Sequence, residues 1–427
     1  MSDIEVHLDW TLGRHRIGTM RRVASRGGER MSFEYDVDWL ASPLRFELDP
    51  LLPLTAGPHY PPAGQALFGT LGDSAPDRWG KDLMRRRERR AAERDGRPVR
   101  ALQPLDFLLG VNDITRLGAL RFRFAEAAGQ GVPDEESFLA PSSIGVPGLV
   151  ALGDLVGAAD RIARNEESDE DLQLLFVQGS SLGGARPKAS VHDAHDRLSI
   201  AKFPRDDDDY EVETWEAVAL TLAREAGITV ADFEHRRLAG RPVLLSRRFD
   251  RTVDGGRVPF QSAMSMTGHL DGDGRGSYLH LADVIARSGG RAAADRVELF
   301  RRVAFSVLVS NVDDHLRNHG FLRDTAAGWV LSPAYDINPV PGDIKPRILS
   351  TAIDETDRTC DIDLVLETAG EYGLTRDRAA RIVAEIAGST RRWADVARRF
   401  GAPEREIRRM QSAFEHADME KASGLDR

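Results

Sequence analysis

Thirteen residues, Ser310–Leu322 (SNVDDHLRNHGFL), hold two Asp, two His, two Asn and an Arg directly after an apolar run, Val303–Val309 (VAFSVLV). A chain leaving a buried helix into so polar a loop has the rigid support that chemistry needs. Asp313 and Asn318 stand five positions apart. A carboxylate that orients and deprotonates a hydroxyl, followed at that distance by an amide that ligates Mg²⁺, is the arrangement of a phosphoryl-transfer catalytic loop. Downstream, GWVLSPAYDINP supplies Asp336 after a strand-like run. A second acid there suits Mg²⁺ bridging two phosphate groups. Two other readings fit the same stretch. One is a polar helix C-terminus with no chemistry. The other is a two-metal hydrolase using Asp313, Asp314 and His315, although the remaining His residues are scattered without metal-ligand spacing.

A second constellation lies upstream. In Gly179–Ala189 (GSSLGGARPKA) two adjacent glycines let backbone approach a ligand, and successive N–H groups make an anion nest. An ordinary turn accounts for the glycines equally well. Lys202, in the strand-like SIAKFP, would point from a strand into a cleft and meet phosphate oxygens as a point charge. The bland alternative is a lysine snorkelling from a strand edge. Glu213 and Glu216 share one face of the next helix, so either could pair with Lys202, or both could be solvated helix charges.

The elements that must position these residues are visible in outline. The first forty residues alternate apolar and polar as an antiparallel meander. SAPDRWGKDLMRRRERRAAERDGR reads as an Arg-rich helix with Ser74 or Asp77 as its N-cap. Its RRRERR run reads as a solvated face or as a contact for an acidic partner or nucleic acid. LQPLDFLLGV predicts a helix and GALRFRF a strand. The loop-rich acidic stretch near residue 135 is the candidate domain boundary. Beyond it come a helix from about Pro147 to Asn165, strands at KASVHD and LSIAKFP, an amphipathic helix ending at Gly227, and a hairpin in FEHRRLAGRPVLLSRRFDR. After residue 256 the chain reads as mostly helical.

Composition narrows the classes. With 427 residues and 41% apolar content the chain can bury more than one core. A net charge of -10 argues against nucleic-acid binding by the surface as a whole. One cysteine, Cys360, excludes an internal disulfide and fits a reducing compartment. No apolar run reaches membrane-spanning length and the N-terminus lacks a signal-peptide pattern, so a soluble cytoplasmic protein is expected. Of 58 basic residues only Lys81, Lys188, Lys202, Lys345 and Lys421 are lysine. In so Arg-biased a chain, a lysine that persists invites the question of what an arginine could not do there.

SSLGGARPKA, AKFP, RRFDR, NVDDHLRNHGF and SPAYDINP, in that order, resemble the HipA family of serine/threonine-protein kinase toxins. GTM, MSFEYDVDWLA, FGTLGDSAPDRWG and DFLLGVNDITRLGALRF resemble that family's N-terminal domain. The resemblance implies an α+β, protein-kinase-like two-lobe fold, with a mixed-sheet N-lobe, a helical C-lobe and ATP between them, preceded by a HipA-type N-terminal α+β domain. The expected segments are 1–135, 136–255 and 256–427. Asp313 matches the catalytic Asp, and Asn318 and Asp336 the Mg²⁺ ligands. Lys202 matches the ATP-phosphate lysine and Lys188 a lysine of the Gly-rich loop. The expected ATP contacts are Leu182, Gly183, Gly184, Ala185, Lys188, Lys202 and His315. Ser181 matches the serine that family members autophosphorylate, with Ser180 as its neighbour and rival.

The resemblance implies a Mg²⁺- and ATP-dependent serine/threonine protein kinase, the toxin of a toxin–antitoxin pair. Its partners would be a helix-turn-helix, HipB-like antitoxin, DNA only through that antitoxin, and an aminoacyl-tRNA synthetase as substrate. The alternatives are a non-catalytic subunit of an antitoxin–operator repressor complex and a small-molecule kinase. Two departures from the family stand out. Asp314 follows the catalytic Asp where some members carry Gly, so an extra carboxylate there could raise its neighbour's pKa or bind metal. Arg247, in the expected adenine hinge LLSRRFDR, stands where some members carry an acid.

Overall fold

A computed structural model describes residues 3–25, 28–125, 137–140, 145–177, 184, 186–270, 272 and 274–425. The expected boundary near residue 135 lies outside them, as do Ser180, Ser181, Leu182, Gly183 and Ala185. The chain divides into two compact units. The first is Met1–Asp206 with Arg247–Gln261 and Arg323–Ala326; the second is Asp207–Ser246, Ser262–Leu322 and Ala327–Arg427.

The first unit opens with the expected meander, β1 (Ile4–Trp10), β2 (Gly13–Ser25) and β3 (Gly28–Tyr35). It continues through α1 (Val37–Ala41), β4 (Pro58–His59), α2 (Gly69–Asp73), α3 (Arg78–Arg94), α4 (Pro104–Gly110) and β5 (Leu120–Phe124). The sheet order is β4-β3-β2-β1-β5, so β1 is flanked on both sides and both its faces are buried. Ile4, Val6 and Leu8 line one face. The other carries Glu5 and His7, whose register partners on β5 are Arg123 and Arg121. Arg123 Nε donates to Glu5 Oε2 at 2.5 Å, a cross-strand ion pair that lets a charged strand face be buried.

Asp77 is the N-cap of α3 and accepts from the Gly80 N–H at 2.8 Å. The Arg-rich face of α3 is more than a solvated surface. Arg86 pairs with Glu167 at 3.0 Å and Arg90 donates to the Glu167 carbonyl at 2.6 Å, fastening the helix to the chain ahead of α6 (Asp169–Val177). α5 (Leu152–Ala163) precedes it, and the hairpin β6 (Lys188–His192) and β7 (Leu198–Lys202) follows. The RRFDR run clamps this unit. Arg248 and Asp250, both wholly buried, pair at 2.6 Å. Arg248 also reaches the Thr115 carbonyl at 2.9 Å, and Asp250 accepts from the Gly118 N–H at 2.7 Å.

The second unit is mainly helical. α7 (Val212–Glu225) is followed by the hairpin β8 (Phe233–Leu238) and β9 (Arg241–Arg247); after the first unit's Arg247–Gln261, which holds most of β10 (Phe260–Ser262), come α8 (Ala263–Thr267), α9 (Tyr278–Ser288) and α10 (Ala292–Leu308). After the polar loop come the short pair β11 (Gly320–Leu322) and β12 (Val330–Leu331). Helices α11 (Ile362–Glu367), α12 (Arg376–Thr390), α13 (Trp393–Arg399), α14 (Glu404–Phe414) and α15 (Ala417–Gly424) close the unit. Trp393 stacks on Phe414 with ring centroids 4.8 Å apart, and Trp215 of α7 lies 6.2 Å from each. α10 carries the apolar run, buried throughout Val303–Leu308. Among the described residues, no helix is long and apolar enough to cross a membrane.

Candidate active site

α10 ends abruptly because Ser310 takes a left-handed conformation, φ +53, which stops helical hydrogen bonding and sends the chain into the polar loop. The Ser310 side chain is anchored to the Ala413 carbonyl at 2.9 Å and receives Arg347 Nε at 3.1 Å. The next residues form a tight turn in which the His315 N–H donates to the Asp313 carbonyl at 2.8 Å. The Asp313 carboxylate projects outward, 60% exposed.

Asn318 is buried and donates Nδ2–H to that same Asp313 carbonyl at 3.2 Å. The bond fixes the amide's orientation, since a flip would set oxygen against oxygen. Asn318 Oδ1 is thereby left buried without a hydrogen-bond partner, as is His315 Nδ1. Buried polar atoms are nearly always satisfied, so an oxygen held open in this way is suited to a ligand.

Asp314, the neighbouring acid, has a different task from either expected of it. It is turned inward and buried. Tyr278 Oη donates to Oδ2 at 2.5 Å and Ser306 Oγ at 3.0 Å, while His319 Nε2 lies 3.0 Å from Oδ1. Burial pushes this carboxyl up, but the adjacent His319 and the hydrogen bonds from Tyr278 and Ser306 outweigh it and hold it below the usual carboxylate range. Thr351 closes the set by donating to the Asp314 carbonyl at 2.7 Å. Asp314 is thus a peg for the loop's interior side. Beside it, a cavity of about 10 Å³ lined by Asp314, Asn318, His319 and Tyr335 has room for one water.

Asp336 sits on a second loop tied to the first. Tyr335 Oη donates to the Arg317 carbonyl at 2.7 Å, and the Asn338 N–H to Asn311 Oδ1 at 3.0 Å. Asp336 has φ +59, a conformation that few non-glycine residues adopt and that recurs at functional sites. Its N–H donates to Glu216 Oε1 at 3.2 Å, and Asn338 Nδ2 donates to its Oδ1 at 3.3 Å. Glu213 and Glu216 are buried, at 1% and 2% exposure, so the reading of both as solvated helix charges does not hold. Burial of Glu216 serves the Asp336 backbone.

In the first unit, Lys202 ends β7 and is the register partner of Lys188 at the start of β6. Lys188, expected among the ATP contacts, is buried and donates to Asp77 Oδ2 at 2.7 Å. Trp79 Nε1 donates to the Lys188 carbonyl at 3.2 Å, so the start of α3 grips this strand twice. Gly184 is exposed with φ +112, and a Cβ there would stand 3.1 Å from Lys188 Nζ. Sequence reasoning missed Tyr278, Ser306 and Asp77 as partners, since each lies far along the chain from the residue it serves.

An exposed acid, a buried open amide oxygen and a second acid on an adjoining tied loop, carried by an α+β chain, are the parts of a protein of kinase-like fold. The HipA-like C-terminal domain pattern matches residues 180–394 and the HipA N-terminal domain pattern residues 8–106. The chain belongs to the HipA family. Its fold is similar to that of a Shewanella oneidensis structure, "Toxin Antitoxin System HipA, HipB and its operator DNA complex". The TM-score is 0.65 at 17% identity, covering 98% of this chain and 96% of that one. The Helicobacter pylori proinflammatory kinase CtkA aligns over 57% of this chain and 94% of its own, with a TM-score of 0.42 and 14% identity. In sequence, the chain is 24% identical over 222 residues to a Sinorhizobium fredii protein named "Putative kinase Y4mE", covering 48% of this chain. The chain spans about half the length of that curated relative, 50%.

Proposed function

We propose that this protein is a Mg²⁺- and ATP-dependent serine/threonine protein kinase acting as the toxin of a toxin–antitoxin pair. The carrying observation is the Asp313–Asn318 arrangement. One carbonyl fixes the amide, so Oδ1 stays open while the Asp313 carboxylate faces outward. Asn318 Oδ1 and the Asp336 carboxylate are hard oxygen donors and fit Mg²⁺. When bound, Mg²⁺ supplies neutralisation of phosphate charge. Asp313 orients the acceptor hydroxyl and takes its proton; Lys202 holds ATP phosphates, with Lys188 and His315 as further expected contacts. Catalysis is then positioning and charge stabilisation. Self-inactivation by phosphorylation at Ser181, with Ser180 as rival, belongs to the same proposal. So do a cytoplasmic setting, a helix-turn-helix antitoxin through which DNA is engaged, and a translation-related substrate such as an aminoacyl-tRNA synthetase. Family membership and the likeness to the HipA of a HipA–HipB–operator complex support the partner.

The test is intact-mass measurement of the chain incubated with Mg²⁺ and ATP. The wild type should gain phosphate. Asp313→Asn should lose it by about 10²–10⁴-fold, the usual contribution of a positioned acid or base, with an unchanged melting temperature because the side chain is exposed. Phosphate gain in Asp313→Asn at the wild-type rate would refute the assignment.

A further inference from the structure

Lys345 stands outside every motif of the site, in Pro341–Pro346 (PGDIKP). Its ammonium lies 3.5 Å from Asp313 Oδ1, and the two side chains are 52% and 60% exposed. An exposed pair contributes little to stability, so holding the fold does not account for it. The backbone presenting Lys345 is nevertheless fastened on both flanks. The Val340 N–H donates to the Ser310 carbonyl at 3.1 Å, and the Ile344 N–H to the Pro341 carbonyl at 3.0 Å. The Gly342 N–H donates to Ser412 Oγ at 3.0 Å, and Arg409 Nε to Asp343 Oδ2 at 3.0 Å. Arg347, just beyond, reaches Ser310 Oγ, the Val307 carbonyl and Asp418 at 3.1, 2.9 and 2.7 Å. The result is a fixed stem with an exposed charged tip beside the outward-facing acid.

We infer that Lys345 is a catalytic residue of the phosphotransfer proposed above, on which this inference rests. Its ammonium shields Asp313 before the substrate arrives and then moves to the phosphoryl group in transit. In that transfer the bond from acceptor oxygen to phosphorus forms. The bond from phosphorus to the β,γ-bridging oxygen breaks, and ADP departs with that electron pair. The hydroxyl proton passes to Asp313. Lys345 exchanges no proton and contributes charge alone. The choice of lysine in a chain that mostly uses arginine fits this. A compact ammonium on a flexible stem with rotatable donors can turn from carboxylate to phosphoryl oxygens, whereas a planar guanidinium favours a single bidentate partner.

The experiment follows ATP-dependent mass gain of the full chain with Mg²⁺ at varied ATP, in wild type, Asp313→Asn, Lys345→Met and Lys345→Cys. Lys345→Met should lower the maximal rate about 10–100-fold, the lower end of what a charge-stabilising donor contributes, with little change in half-saturating ATP. Aminoethylation of Lys345→Cys with 2-bromoethylamine should restore most of the rate by rebuilding an ammonium. Cys360 is buried and its thiol pushed up to about 12, chiefly by burial, so the new cysteine reacts first. A wild-type or raised maximal rate in Lys345→Met, beside an inactive Asp313→Asn, overturns the inference and leaves the kinase reading standing. So does a folded Lys345→Cys that aminoethylation fails to revive. No mass gain in the wild type removes the kinase reading and the inference together.

Discussion

The Tyr278 hydroxyl meets Asp314 Oδ2 at 2.5 Å across 36 residues of sequence, joining the first turn of α9 to the interior side of the loop that carries Asp313 and Asn318. Burial, reinforced by the Asp314 charge, raises the Tyr278 phenol well above its ordinary value, so it remains a donor. Tyr278→Phe should cost about 1.5–3 kcal/mol, the usual worth of a hydrogen bond to a charged group, read by urea unfolding. Asp314→Ala should cost more, because Tyr278 and Ser306 lose their acceptor and His319 its neighbouring carboxylate. A variant as stable as wild type would show that the loop is held elsewhere.

Asn318→Ala removes both the tie to the Asp313 carbonyl and the open Oδ1. The Mg²⁺ concentration for half-maximal phosphate gain should rise by at least the ~10–100-fold that even outer-shell changes cost a metal site. An unaltered Mg²⁺ titration would exclude Asn318 as a ligand.

Gly276 packs its bare Cα against Leu316 of the Asp313–Asn318 loop. A Cβ there would stand 2.7 Å from Leu316 Cδ1 and 3.0 Å from its Cγ. Leu316 is buried and has little room to yield. Gly276→Ala should destabilise by about 1–3 kcal/mol, the usual cost of overpacking. Phosphotransfer should fall in protein that is still folded, because Leu316 sits between Asp313 and Asn318. Melting curves and mass gain measured on one preparation separate the two effects.

His416 caps α15. Its Nδ1 accepts from the Met419 N–H at 3.3 Å and its Nε2–H donates to the Leu308 carbonyl at 3.2 Å. Both bonds together require the neutral ring, and burial, followed by the nearby Arg347, pushes its pKa down to about 4. The unfolded chain protonates near pH 6.5 while the folded chain does not. Stability from this residue is therefore complete above pH 6.5 and lost as pH falls from there toward 4. The loss is up to ~3 kcal/mol. His416→Asn, which retains a capping side chain, should flatten that part of the stability–pH curve. A curve of unchanged slope would place the titration on another group.

Much of this was legible in the sequence wherever the signal was local. Polar residues following Val303–Val309, the Asp313–Asn318 spacing and alternation in the first strands predicted a loop after a buried helix, its chemistry and a meander, and the structure has that loop and that meander. Short elements such as α2 and α6 were missed because one or two turns carry little periodicity. The burial of Glu213 and Glu216 was hidden because both faces of α7 are covered, and pairing an acid with the Asp336 N–H from 120 residues away leaves no local trace. Lys345, Tyr278 and Arg347 are likewise placed by tertiary contacts between distant segments.

Asp77 falls within the N-terminal family match and Lys188 within the C-terminal one, 111 positions apart in sequence. The two modules therefore share a desolvated ion pair, at 3% exposure on either side. Such a pair acts as a compatibility code. A graft that brought a foreign N-terminal module lacking the acid would bury Lys188 without it, at a cost of about 3–5 kcal/mol. In this chain the Arg-rich helix and the strand that begins at Lys188 can therefore be exchanged only together.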